Sequence, residues 1–377
     1  MKRALLAVVV CLCLTGPAAE ARDPGRWVLT GASSIPTTYW QGLTSDPAER
    51  QVFFTGVFEG LWRTTPRLGQ TAGVGAAIPA DVKALEGYNH IGDPTWNRAG
   101  VVLPLECYDP GGGGNTCGTG SLGVADPATL AWRYYVKLDP LEIPKAMWAE
   151  TSPDGKLVWT SSGDDLLAYR SSDLVASNAA PAAGPIRAAR RLSGAVPPTG
   201  VTGAVFRSGR LLLAGERNGT YRVWAVDTAS GKRRLELEMN VCGESEGLDA
   251  IPTLGGQLHW LIAPSDPGCT LTFGPTSALL HFTPRPGRER LRVKVISVKA
   301  ATLPGRIKAK IRVTTRGGAP LAGAHVSFAG ASVRTNRRGT ATVWPPLELP
   351  GRFKALARKG GSYGLSRLVE VSIAPSG

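Results

Sequence analysis

Short apolar runs, each bounded by turn-forming residues, recur along most of the chain. Val52-Phe53-Phe54 follows Ser45-Asp46-Pro47, and Leu157-Val158-Trp159 follows Ser152-Pro153-Asp154-Gly155. Leu211-Leu212-Leu213 follows Arg207-Ser208-Gly209, and Leu258-His259-Trp260 follows Leu254-Gly255-Gly256. Short runs rich in β-branched and aromatic residues read as strands. Pro fixes φ and Gly accepts positive φ, so the intervening segments read as tight turns. No sustained 3.6-residue period stands out, so an all-β chain without amphipathic helices is expected.

The apolar runs belong to a larger repeat. Five similar stretches precede them: Gln41-Gly42-Leu43, Ile91-Gly92-Asp93, Met147-Trp148-Ala149-Glu150, Thr202-Gly203-Ala204 and Glu246-Gly247-Leu248-Asp249. A second hairpin follows in several units. Gly163-Asp164-Asp165 leads into Leu166-Leu167-Ala168-Tyr169, and Asn218-Gly219 leads into Tyr221 to Asp227. Where a further turn and strand follow, as Ser230-Gly231-Lys232 and Arg233 to Met239 do, motif, turn, strand, turn, strand, turn, strand describes a four-stranded meander. Such a sheet cannot bury both faces alone, so the units must stack about an axis. Residues 22–285 are therefore expected to form a five-bladed β-propeller. The count becomes six if Trp27 to Thr30 closes the ring on the last blade and the long second unit splits.

The segments Glu246-Gly247-Leu248-Asp249, Ser152-Pro153-Asp154-Gly155-Lys156 and Trp224-Ala225-Val226-Asp227-Thr228-Ala229-Ser230-Gly231-Lys232 carry a resemblance. The chain resembles extracytoplasmic propellers of the WD40-like, YVTN-like or SMP-30-like kind over roughly residues 27–284. The Gly-His and Trp-Asp pairs of WD40 repeats proper are absent. The resemblance implies a ligand site near the axis. For SMP-30-like lactonases it implies a metal, for which calcium is the natural candidate, with acids from several blades. That role maps onto Glu246, and less directly onto Glu150 and Asp93; the family's further Asn and Asp ligands are not recognisable. His90, beside the second motif, is a candidate general base or a structural histidine. Gln41, Glu244 and Asp249 complete the polar set near the motifs, and Trp40 and Trp148 are candidates to line a funnel.

Beyond residue 285 the pattern changes to strict alternation. Arg292-Val293-Lys294-Val295 and Ile307-Lys308-Ala309-Lys310-Ile311-Arg312-Val313 place cations on one face and apolar residues on the other. The later order, Leu321-Ala322-Gly323-Ala324-His325-Val326, then Thr335-Asn336, then Leu349-Pro350-Gly351, resembles a bacterial Ig-like or carboxypeptidase-regulatory-like β-sandwich. Residues 286–377 are therefore expected to form a small basic Ig-like domain.

Charge sharpens this division. Residues 285–377 carry 19 Lys and Arg against three acids, although the whole chain has a net charge of only +14. Electrostatic association with an anionic envelope, either a phosphate-rich polymer or lipid headgroups, is one expected role; a solvated face is the plain alternative. The basic strands lack the interleaved aromatics of a single-strand platform, which argues against nucleic acid.

The N-terminus reads as an export signal. Lys2-Arg3 precede the apolar run from Ala4 to Leu14, and Ala19-Glu20-Ala21 fits a cleavage site. Residues 1–21 are thus expected to be removed from a secreted or periplasmic protein with no later membrane span. The remaining cysteines, Cys107, Cys117, Cys242 and Cys269, are even in number, as disulfides in an oxidising compartment require. Local pairing is expected. An exported binding or interaction protein is the first functional expectation; a metal-dependent hydrolase or lactonase acting at the axis is the alternative.

Overall fold

The computed structural model describes residues 26–56, 58–109, 114–179, 184–263, 276–299 and 303–372. The proposed leader and Cys269 lie outside these ranges. The described chain is dominated by antiparallel strands.

Five sheets follow one another in sequence. The first comprises Gly42–Ser45, Val52–Thr55, Leu61–Thr64 and Gln70–Val74. The second is built on Gly100–Glu106, Ser121–Ala125 and Trp132–Lys137, with His90–Ile91 and Thr95–Asn97 as its inner edge. The third holds Glu150–Thr151, Leu157–Ser162, Asp165–Arg170 and Arg190–Leu192. The fourth holds Gly203–Arg207, Arg210–Arg217, Thr220–Val226 and Arg233–Asn240. The fifth starts with Glu244–Asp249, Leu258–Ala263 and Ser277–Pro284, and its next strand is Trp27–Ile35 from the other end of the chain. Trp27 pairs with Pro284 and Ile35 with Ser277. The N-terminal strand thus joins the last repeat, as the sequence allowed, while the second unit remains one sheet.

Packing closes these sheets into a ring. Phe53 and Leu61 of the first sheet pack with Ile91, Val101 and Leu103 of the second. Val102 and Val124 of the second pack with Val158 and Tyr169 of the third. Trp159 and Leu166 of the third meet Leu211 and Leu213 of the fourth. Val205 and Leu212 of the fourth meet Leu248 and Trp260 of the fifth. Leu261 and Leu279 of the fifth share a core with Leu43 and Phe54 of the first. Central strands alternate their side chains between two such cores, as Leu212 and its neighbours Leu211 and Leu213 do, while outer strands such as Gln70–Val74 face solvent.

The turns follow the sequence chemistry. Asn218 and Gly219 both take positive φ, 54° and 72°, the geometry of a type I′ hairpin. Two helices depart from the all-β expectation: α1, Ala80–Glu86, and α2, Ser171–Ala179. They are too short to leave a helical period in the sequence. Gly87, left-handed at φ 81°, ends α1 by donating its N–H to the Lys83 carbonyl.

The segment after residue 285 folds as a three-stranded sheet, Leu291–Lys299, Lys308–Thr315 and Thr340–Val343, and a five-stranded sheet that includes His325–Phe328 and Leu356–Lys359. Ile307, Ile311, Val326 and Ala357 fill the space between them. This core runs without a break into that of the fifth and first ring sheets. The backbone is continuous there too: Gly31 pairs with Phe353 and Ser33 with Gly351, so Gly351–Phe353 and Val369–Val371 extend the fifth sheet.

Candidate functional site

The five motifs supply the inner strands of the ring, and their glycines mark where backbones meet. A Cβ at Gly42 would collide with the backbone of Asp93, and one at Gly92 with the carbonyl of Met147. A Cβ at Gly203 would strike the backbone of Glu246 and Gly247; one at Gly247 would strike the Asp93 carboxylate and Gly42. At these four positions only glycine allows so close an approach; the third motif has Trp148-Ala149 instead.

Asp93 fills the point of convergence. Its Oδ1 accepts the Leu43 N–H at 2.9 Å, and its Oδ2 accepts the Ala204 N–H at 3.0 Å. Its own N–H donates to Met147 O, and its carbonyl accepts from Ala149 N–H. One fully buried residue therefore ties the second sheet to the first, third and fourth, with Gly247 of the fifth against its carboxylate. Desolvation raises its pKa well above the usual carboxylate range, against the two backbone N–H bonds that favour the anion.

The other predicted acids fall on opposite sides of this plug. Inner strands run in parallel, as the Asp93–Trp148 bridge shows, so residues before and after the glycines sort to two ends. On the entry side Glu246 accepts a hydrogen bond from Gln41 Nε2 at 3.0 Å. Burial raises its pKa, and Glu244, Asp93 and Glu106 reinforce the shift. His90 lies on this side, 3.9 Å from Glu106, which also faces Lys145 Nζ at 3.8 Å. Burial, and then the Lys145 charge, lower the His90 pKa to about 4, so its imidazole is neutral; its buried Nδ1 has no hydrogen-bond partner among the described residues.

On the exit side Glu150 Oε1 accepts the Phe206 N–H at 2.7 Å, and Oε2 accepts the Thr95 hydroxyl at 3.0 Å. Burial pushes its pKa up to about 8, with repulsion from Asp249 as a smaller contribution. Asp249 Oδ1 accepts the Ala250 N–H at 2.7 Å; its buried Oδ2 has no close hydrogen-bond partner among the described residues, and the Ser45 side chain also favours its anion. Burial moves its pKa to about 6. Two interacting carboxyls with separated pKa values can be acid and base together at neutral pH.

Asp93, Glu150 and Glu246 therefore do not converge on one point. Among the described residues no group of three His, Cys, Asp or Glu side chains is placed to hold a metal. Both Asp93 oxygens are already committed to backbone amides, so a calcium ion shared by these three acids does not fit. Trp148 is fully buried, its Nε1 donating to Ser161 Oγ at 2.8 Å, and lines no funnel. Cys107 and Cys117 form the expected local disulfide; Cys242 is also disulfide-bonded.

Sequence reasoning missed a cleft of about 1060 Å³ beside the exit side, between the second and third sheets. Tyr134, Leu157 and Val175 give it an apolar floor; Arg98, Arg133, Lys156 and Arg170 rim it, and the first turn of α2 opens into it. Arg133, Lys156 and Arg170 each face one carboxylate, Asp126, Asp154 and Asp173 respectively. Arg98 has no such partner among the described residues. These cations are far apart in sequence, and Lys156 had registered only as part of a turn.

A second unforeseen cluster lies behind the fifth sheet. His259 Nε2 contacts the Ile251 carbonyl at 2.7 Å, His259 Nδ1 contacts His281 Nδ1 at 2.8 Å, and His281 Nε2 contacts Ser33 Oγ at 2.8 Å. A carbonyl only accepts, so His259 Nε2 carries hydrogen, its Nδ1 accepts from His281, and Ser33 donates to His281. Burial lowers both histidine pKa values and keeps the chain neutral. This cluster is closed to solvent and belongs to the scaffold.

Neither a protein-family model nor a curated protein matches the chain. Among solved structures, a luciferin-regenerating enzyme is similar at a TM-score of 0.42 and 12% identity, over 67% of this chain and 94% of that one.

Proposed function

We propose that this is an exported binding protein: a five-bladed propeller with an Ig-like basic module, which takes an anionic ligand with an apolar body. The closed ring of five sheets supports the propeller reading, and the two-sheet core after residue 285 supports the module. The observation that carries the binding function is the cleft rimmed by Arg98, Arg133, Lys156 and Arg170. Its volume suits drug-sized ligands and its lining includes the apolar Tyr134, Leu157 and Val175, while four cations outnumber Asp154 in the lining and Asp173 in the first turn of α2. Hexyl phosphate is a suitable probe, titrated calorimetrically against the full chain with inorganic phosphate in parallel. The expected result is that hexyl phosphate binds more tightly than phosphate and weakens about tenfold or more in Arg98→Glu/Arg170→Glu. Equal affinity in the variant and the parent would discard the cleft.

A second reading, hydrolysis at the axis, is favoured by the Glu150–Asp249 pair. Protonated Glu150 would supply the acid and ionised Asp249 the base. Turnover of a lactone and ester panel, with a rate maximum between about pH 6 and pH 8 and lost in Glu150→Gln, would support it. A panel left untouched by the full chain removes it.

A further inference from the structure

We propose that the exposed face of the sheet Leu291–Lys299, Lys308–Thr315 and Thr340–Val343 docks on the surface of an anionic phospholipid bilayer. The strand register aligns its charges. Lys294 lies opposite Arg312, Lys299 opposite Lys308, and Ser297 opposite Lys310, with Arg292 at the end of the same row. Arg312 and Lys310 are in turn opposite Thr340 and Thr342. The intervening residues Ala309, Ile311, Val313, Ala341 and Val343 point into the core, so all six cations share the outer face. None of the six forms an ion pair with a carboxylate among the described residues.

This arrangement costs stability. Like charges directly opposite on adjacent strands repel, and two such pairs stand here, Lys294–Arg312 and Lys299–Lys308. An anionic surface turns that cost into attraction. Strands lie about 4.8 Å apart and same-face residues about 6.8 Å apart, so the cations form a double row about 5 Å wide at the backbone and about 20 Å long.

Two apolar side chains on the same face choose the occupant. Trp344 is 48% exposed, with Lys308 Nζ 4.8 Å from its ring centroid. Ile296, the extra residue of the bulge between Val295 and Ser297, is 42% exposed. A soluble polyanion needs only the cations. A bilayer also takes an indole at headgroup depth and an aliphatic tip beneath it. Each cation near an anionic leaflet is worth about fivefold in partition, and salt screens the effect.

The test is co-sedimentation of the full chain with phosphatidylglycerol/phosphatidylcholine vesicles, with pure phosphatidylcholine vesicles and soluble inorganic polyphosphate as the other arms. Binding to the anionic vesicles is expected at low salt, falling as salt rises. Lys294→Gln/Lys310→Gln/Arg312→Gln should lower it on the order of a hundredfold. Trp344→Ala should weaken vesicle binding and leave polyphosphate binding unchanged. Relief of like-charge repulsion should leave the triple variant at least as heat-stable as the parent. If it fails to fold, Lys299→Gln/Lys308→Gln gives the same reading from the other end of the patch. Equal binding to both vesicle types, undiminished binding by the variants, or affinity confined to polyphosphate would each overturn the proposal. Arg98→Glu/Arg170→Glu leaves this binding unchanged, so failure of the cleft and failure of the sheet face are distinguishable.

Discussion

Replacing Glu150 with Gln isolates one strongly shifted ionisation at the ring axis. Gln keeps the shape of the protonated acid: its carbonyl accepts the Phe206 N–H, and its amide donates to Thr95 Oγ1. What it removes is a proton equilibrium. The folded-state pKa of Glu150 is about 8 against an ordinary 4.5, so the folded protein holds this proton more tightly than the unfolded chain. Its contribution to stability is full below pH 4.5 and is lost as pH rises toward 8. The slope is about 1.4 kcal/mol per pH unit, which accumulates to about 5 kcal/mol across that window. Asp249 is present in both proteins, so the difference between them reports Glu150 together with its smaller coupling to Asp249. Urea unfolding from pH 4.5 to 8.5 should therefore show Glu150→Gln near the parent at the acid end and several kcal/mol more stable at the alkaline end. Parallel curves for the two proteins would mean that Glu150 ionises normally and that the acid–base reading of the axis has no foundation.

Gly92→Ala should destabilise by about 3 kcal/mol, because its Cβ overlaps the Met147 carbonyl, whereas Gly118→Ala, which faces open space, should be near neutral by the same denaturation assay. Acid should loosen the Ser33–His281–His259 chain: the folded pKa of His259 is about 4 against 6.5 unfolded, so its contribution is present above pH 6.5 and lost as pH falls toward 4. That amounts to about 3 kcal/mol from His259 alone, and a His259 imidazole, assigned by its loss in His259→Gln, titrating near 6.5 by NMR in the folded protein would refute it.

The repeat was legible because close backbone approach leaves glycine in the sequence, at Gly42, Gly92, Gly203 and Gly247. Alternation between two cores likewise leaves its mark, as in Leu211-Leu212-Leu213, where Leu211 and Leu213 serve one neighbour and Leu212 the other. The role of Asp93 was not legible. Its partners, Leu43 and Ala204, are backbone amides 50 and 111 residues away, and a backbone donor has no residue identity to read. One signal was present: the residues after the other motif positions are Leu43, Ala149, Ala204 and Leu248, so Asp93 is the lone charge in that column. The separation of Glu246 from Glu150 was also encoded, since one precedes its glycine and the other follows the corresponding position. The cleft left no such trace, because its cations come from four surface segments whose nearness depends on how two sheets pack.

The placement of Trp27–Ile35 between Ser277–Pro284 and Gly351–Phe353 has a kinetic consequence. The earliest strand of the described chain must wait for partners made about 250 and about 320 residues later, so the ring cannot shut until Ser277–Pro284 has been made. Sequence-distant pairing of this kind slows folding and leaves an unpaired edge exposed in the interim. A circular permutant carrying residues 27–35 directly after residue 284 would make that pairing local, and its refolding should lose the slow closing phase.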